Sequence, residues 1–131
     1  SRNYCVTASV NKVDFLNPIE VGELVTLKAS VNYTGRTSMV IGVRVESENI
    51  QTGERKHCNS SYFTMVAKDE QGSNVSVPGL ILTNKDSVRR FARSIERQEQ
   101  SKHRTNRFKS SEFHMEDYLE LINSQNAKLA I

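Results

Sequence analysis

Apolar and polar residues alternate along most of the first two-thirds of the chain. Val6, Ala8 and Val10 alternate with Thr7 and Ser9, and Val13 and Phe15 continue in the opposite parity. That switch predicts a strand with a bulge near Asn11-Lys12, ended by Asn17-Pro18. Val25, Leu27, Ala29, Val31 and Tyr33 alternate with Thr26, Lys28, Ser30 and Asn32. This predicts a half-buried strand of about nine residues whose odd positions face a core. Met39, Ile41, Val43 and Val45 resume the period of two after a turn over Thr34 to Ser38, the pattern of an antiparallel return. A connection around Thr52-Gly53 leads to a fourth strand, Cys58 to Lys68, closed by the turn Asp69-Glu70-Gln71-Gly72. Four strands in a meander, forming one curved sheet, are expected.

From Val77-Pro78 the period changes. Thr83 or Asn84 is placed to N-cap a helix with Asp86 in its first turn, and Val88, Phe91, Ala92 and Ile95 follow at i, i+3, i+4 and i+7. The polar stretch Gln98 to Ser110 holds one apolar residue, Phe108, and reads as loop, frayed helix or disorder. Met115, Tyr118, Leu119 and Ile122 form a second stripe, with Glu112, Glu116 and Asp117 near its start, where a helix dipole favours acids. The fold class is therefore α+β, an antiparallel sheet region over 1–83 and a helical tail over 84–131. A four-stranded sheet with one apolar face needs a cover, and these short stripes are all that the 131 residues offer.

Composition adds boundaries to this picture. At 131 residues, 37% hydrophobic and 25% charged, the chain suits one globular domain. No apolar run approaches the roughly 18 residues of a membrane span, and the start S-R-N-Y-C-V lacks a signal-peptide pattern, so a soluble, cytoplasmic protein is expected. Cys5 and Cys58 are too few and too far apart for a disulfide scaffold or a zinc knuckle and read as two buried, reduced thiols. His57, His103 and His114 have no ligand spacing, so no metal site is expected. The formal charge of +3 is unevenly spread: Lys85 to Lys109 holds nine Lys/Arg and three acids, a net +6. Few aromatics accompany those cations, which favours a solvated helix face over a nucleic-acid interface.

Read together, V-T-A-S-V-N-K-V-D-F-L-N-P-I-E-V-G-E-L-V-T-L-K-A-S-V (Val6 to Val31), T-G-R-T-S-M with V-I-G-V-R-V-E-S-E-N (Thr34 to Asn49), T-G-E-R (Thr52 to Arg55) and F-T-M-V-A-K-D-E-Q-G (Phe63 to Gly72) resemble the hotdog-fold acyl-CoA thioesterases. The resemblance runs from about Tyr4 to Leu82 and rests on several ordered blocks rather than on any single one. It implies a curved antiparallel sheet around a central helix, with that helix and a first strand preceding Val6. It also implies acyl-CoA as substrate, no separate cofactor, and assembly into dimers or trimers of dimers. The family's paired glycines and its helix Asp or Asn have no counterpart in these residues, so hydrolysis by the family mechanism is expected to be abolished or severely weakened in a chain limited to them.

Thioester hydrolysis needs an activated water and donors aimed at the developing oxyanion. Asp14, Glu23 and Asp69 each have a structural explanation in a strand or a turn. The hairpin tip is more informative. Gly35, Arg36, Thr37 and Ser38, with Thr34, gather a guanidinium, three hydroxyls and a residue permitting close backbone approach, a set that suits the phosphates of coenzyme A, and the resemblance implies that this turn lies near bound coenzyme A at a subunit interface. Arg44 is a second candidate phosphate contact, weaker because it falls on a polar strand face. Phe63 and Met65 share a parity and read as core packing.

Overall fold

The computed structural model describes residues 2–107, 109, 111, 113–127 and 130. Four strands, β1 (Tyr4–Phe15), β2 (Leu24–Thr34), β3 (Ser38–Glu48) and β4 (Arg55–Lys68), are followed by α1 (Lys85–Arg107), a 3₁₀ turn (Met115–Tyr118) and α2 (Leu119–Asn123). The chain divides into two compact units, Ser1–Ile95 and Glu96–Ile131.

In the first unit all four strands pair antiparallel, in the order β1-β4-β3-β2. The α+β sheet is as expected, but the simple meander is not. β2, β3 and β4 follow one another, while β1 lies beyond β4 at the opposite edge from β2. The cause is the crossover between Phe15 and Leu24. Asn17-Pro18 denies β1 a tight hairpin, and the chain instead runs across the end of the sheet. The Leu16 and Asn17 N–H groups donate to the Cys58 carbonyl at 2.8 and 3.4 Å, and the Asn17 amide donates to the His57 carbonyl at 2.8 Å. Eight residues reach comfortably over three strand spacings of about 4.8 Å each.

The register of β1 slips twice, once past Ala8 and once past Asn11. The second slip is the one that the parity change predicts, and there the Asn11 amide donates to Thr64 Oγ1 at 2.8 Å. The pairing fixes which residues share a face. Val25, Leu27, Ala29 and Val31 of β2 lie with Met39, Ile41, Val43 and Val45 of β3, with Phe63, Met65 and Ala67 of β4, and with Val10, Val13 and Phe15 of β1. This apolar face is open towards both edges of the sheet: Phe15 is 84% exposed, Leu27 66% and Val10 56%.

Among the described residues nothing covers this face, and the odd positions Val25 to Val31 of β2 are exposed. The buried residue of that strand is Asn32, at a bulge that moves Tyr33 out of the odd set and pairs it with Val40. Its Oδ1 accepts from Ser30 at 2.8 Å, and its amide nitrogen lies where a Cβ on Gly42 would sit. Among the described residues the buried apolar side chains are Val40, Cys58 and Ala67. On the opposite face the ring of Tyr33 packs at a tilt against Phe91 of α1, with centroids 4.9 Å apart.

Asn84 caps α1 as anticipated: its Oδ1 accepts the Ser87 N–H at 2.8 Å, and Ser87 Oγ accepts the Asn84 N–H at 3.2 Å. Two expectations about this helix need correction. It continues unbroken through the polar stretch to Arg107, because Glu, Gln, Lys and Arg are good helix formers that need no apolar stripe. Phe108 and Glu112 lie outside the described residues. The predicted stripe is also not the shielded one: Val88 and Ile95 are 51% and 43% exposed, whereas Ser94 is 2% exposed. The covered side runs through Ser87, Phe91 and Ser94, at i, i+4 and i+7. Ser94 satisfies its own hydroxyl by donating to the Arg90 carbonyl at 2.9 Å, so a small polar residue can be buried there without an orphaned group.

In the second unit, Phe113 stacks on Tyr118 at 5.4 Å between ring centroids. The Met115 to Ile122 stripe is divided between the 3₁₀ turn and a five-residue helix.

Candidate functional site

The β2–β3 hairpin tip is held by more than its own turn. The Gly35 N–H donates to the Ser38 carbonyl at 2.8 Å. The segment after β4 folds back on the tip: the Val77 N–H donates to the Arg36 carbonyl at 2.9 Å, and the Leu80 N–H donates to Thr34 Oγ1 at 3.0 Å. The Ala67 N–H of β4 donates to the Thr37 carbonyl at 3.0 Å. One of the three hydroxyls, that of Thr34, thus works as a structural acceptor.

Gly35 is not in a left-handed conformation; positive φ is confined to Gly22, Gly53 and Gly72 among the described residues. What Gly35 supplies is room, since a Cβ there would come within 3.2 Å of Ser38 Oγ and 3.5 Å of the Tyr33 ring. Thr37 and Ser38 are half-buried and Arg36 is exposed. With its carbonyl fixed and no carboxylate within ion-pair distance among the described residues, Arg36 presents its guanidinium to solvent from a rigid base. That arrangement suits an incoming phosphate or carboxylate.

The other candidates are placed less favourably. Arg44 Nε donates to Glu46 Oε1 at 2.7 Å, and Lys28 reaches the other oxygen of Glu46 at 3.0 Å. Lys28 and then Arg44 hold the Glu46 carboxyl below its ordinary value. Arg44 is thereby engaged on the polar face. Asp14 pairs with Lys12 at 3.4 Å on that same face. Asp69 Oδ1 accepts the N–H groups of Gln71 at 3.0 Å and Ser73 at 2.9 Å, closing the turn after β4. His57 Nε2 lies 2.8 Å from Ser60 Oγ. Among the described residues no three metal-ligating side chains gather.

Pattern reading did not find the cluster built around Glu23. Gly22, at φ +93°, turns Glu23 over the end of the sheet, where its carboxylate meets Lys56 Nζ at 3.1 Å. The Ser47 hydroxyl bonds the same carboxylate, and Cys58 Sγ lies 3.1 Å from Ser47 Oγ and donates to the Lys56 carbonyl at 3.6 Å. Ser47 and, with some help from the neighbouring charge, Lys56 hold the Glu23 carboxyl below its ordinary value, and Glu23 raises the Lys56 ammonium above its own. The four residues come from the crossover, β3 and β4 and meet only through strand register, which no local spacing reports. Cys58 is buried as expected, but Cys5 is exposed, because β1 is an edge strand.

Residues 1–54 match the family model of the Thioesterase superfamily. The Helicobacter pylori protein VdlD is 44% identical over 103 residues, which cover 76% of this chain and 59% of that protein. The crystal structure of an apo-hexameric acyl-CoA thioesterase superposes with a TM-score of 0.75 at 40% identity, covering 79% of this chain and 66% of that one. A mutant acyl-CoA hydrolase from Staphylococcus aureus superposes with a TM-score of 0.73 at 30% identity, over 89% of this chain and 69% of that one. The chain spans about three-fifths of the length of the curated relative. With this sheet, these matches and the shared identity, the chain belongs to the thioesterase superfamily and is built on the hotdog sheet.

Proposed function

We propose that the protein is an acyl-CoA thioester hydrolase, in which this chain supplies the sheet that receives the acyl group and the hairpin tip that receives coenzyme A. Water adds to the thioester carbonyl and the tetrahedral intermediate expels the thiolate of coenzyme A, leaving a free fatty acid. Arg36 binds a phosphate of the nucleotide end, while Gly35, Thr37 and Ser38 hold the backbone around it. Coenzyme A enters as part of the substrate, and no further cofactor is required. The observation that carries this reading is the likeness to hydrolases of acyl-CoA over most of the chain. The hexameric relative supports a homo-oligomer, either a dimer or a trimer of dimers, and we place the protein in the cytoplasm. No described helix is long and apolar enough to cross a membrane.

A second reading, a module that binds acyl-CoA without cleaving it, is favoured by one observation. Asp14 and Glu23 are ion-paired and Asp69 is fixed in its turn, so none of the three is available to activate water.

Thiol release from acyl-CoA esters of short, medium and long chain separates these readings. Turnover that falls in Arg36→Ala through a KM raised about tenfold, the worth of one charge-assisted hydrogen bond, is the expected result. Binding of intact acyl-CoA without turnover would establish the module, and turnover indifferent to Arg36→Ala would remove the tip from the site.

A further inference from the structure

The turns that follow β3 and β4 are closed by their own residues. Gly53 and Gly72 supply left-handed backbone. Asn49 Oδ1 accepts the N–H groups of Gln51 and Thr52, and Asp69 Oδ1 those of Gln71 and Ser73. The tip between β2 and β3 is built differently. Its three-residue loop, Gly35 to Thr37, has no residue of positive φ, although such loops ordinarily close through a residue in the left-handed region.

What the loop lacks is supplied by the chain after β4. The Val77 N–H donates to the Arg36 carbonyl at 2.9 Å, the Leu80 N–H to Thr34 Oγ1 at 3.0 Å, and Phe91 packs on the Tyr33 ring. The strap that carries Val77 is moored on both sides of it. Before it, the Val75 N–H donates to the Ala67 carbonyl at 3.0 Å and Lys68 Nζ to Asn74 Oδ1 at 2.7 Å; after it comes the Leu80 bond. Pro78 restricts Val77 to extended backbone, which narrows the directions in which its N–H can point. A peptide group held in this way sets the base from which the Arg36 side chain reaches out.

We infer that Val77 is a positioning residue for coenzyme A: its N–H, closed on the Arg36 carbonyl, holds the tip where the guanidinium meets a phosphate, and once open leaves that contact unmade. This role rests on the acyl-CoA reading above and deepens it, since closure of the strap and binding at the tip become one linked equilibrium. A ligand shifts such an equilibrium by the ratio of its affinities for the two states, and the coupling is reciprocal. If an open strap deprives coenzyme A of Arg36, bound coenzyme A holds the strap shut by the same factor. An arginine on a self-sufficient turn would show no such link.

Amide hydrogen exchange of the full-length protein, free and saturated with coenzyme A, reads the link without altering the chain. The Val77 amide is expected to exchange about tenfold more slowly with coenzyme A bound, the worth of one charge-assisted hydrogen bond. The Gly53 amide, in a turn closed by its own residues, should not change, and in Arg36→Ala the Val77 amide should not respond either. A second arm titrates coenzyme A into Val77→Pro, which deletes the donor, and Val77→Ala, which keeps it. Val77→Pro should weaken binding several-fold in the unaltered background and no further in Arg36→Ala, while Val77→Ala binds as the unaltered protein does. Should Val77→Pro fail to fold, the exchange measurement decides alone. Unchanged exchange at Val77, or losses in Val77→Pro and Arg36→Ala that simply add, would overturn the positioning role while leaving Arg36 as a contact. Affinity indifferent to Arg36→Ala would overturn the tip as a coenzyme A site, and this role with it.

Discussion

Glu23 on the crossover and Lys56 at the head of β4 meet at 3.1 Å, tying the segment that carries the chain from one edge of the sheet to the other onto the strand between. Glu23 is held below its ordinary value of 4.5 by the Ser47 hydroxyl first and by Lys56 after it, and Lys56 is held above 10.5 by Glu23. The depressed carboxyl contributes stability that is complete above the unfolded value and fades as pH falls through the folded one. The raised ammonium contributes below its unfolded value and fades as pH rises through the folded one. In Glu23→Gln the loss of melting temperature relative to the unaltered protein should be constant between about pH 5 and 10 and shrink at both extremes. Melting curves across that range check it, and a gap that does not narrow in acid would show that the pair contributes nothing through charge.

Gly42 is required by its neighbour across the strand. A methyl group there meets the Asn32 amide, so Gly42→Ala should cost about 1–3 kcal/mol, the usual range for overpacking. Adding Asn32→Ala removes the obstruction, and the double variant should be more stable than the sum of the single changes by at least about 0.5 kcal/mol. Urea denaturation of the four proteins measures this coupling; strict additivity would mean that the contact does not limit the site.

The hairpin tip separates structure from binding between two residues. Thr34→Val deprives the Leu80 N–H of its acceptor and should lower stability by about 1 kcal/mol. Arg36→Ala takes away only an exposed side chain and should leave stability within about 0.5 kcal/mol, while weakening coenzyme A. Thermal melts paired with coenzyme A titrations distinguish the two, and a large stability loss in Arg36→Ala would assign its side chain a packing role.

Asn84→Ala breaks the reciprocal cap at the start of α1 and should cost about 1 kcal/mol. Asn84→Ser should retain most of it. Circular dichroism at 222 nm during thermal unfolding reports the effect, and equal stability of Ala and Ser at this position would show the cap to be redundant.

Local patterns made the strands, the bulge at Asn11 and the Asn84 cap legible, since each depends on residues within a few positions of one another. What was not legible depends on register between distant segments. The place of β1 beside β4 follows from where Leu16 and Asn17 find a carbonyl. Tyr33 leaves its predicted side because the bulge at Asn32 shifts it, and α1 shields Ser94 rather than Ile95. At the candidate site, the composition of the tip singled out Arg36 as a candidate contact. The structural duty of Thr34 and the Glu23 cluster emerged only once Leu80, Ser47 and Lys56 were brought beside them.

The unequal burial of Cys5 and Cys58 has a practical consequence. A colourless-to-yellow thiol reagent should modify one cysteine of the native chain at once and the second only when the sheet's end comes apart. The chain thereby carries its own clock for local opening, with one sulfur to report concentration and the other to report time, and no label has to be engineered into it.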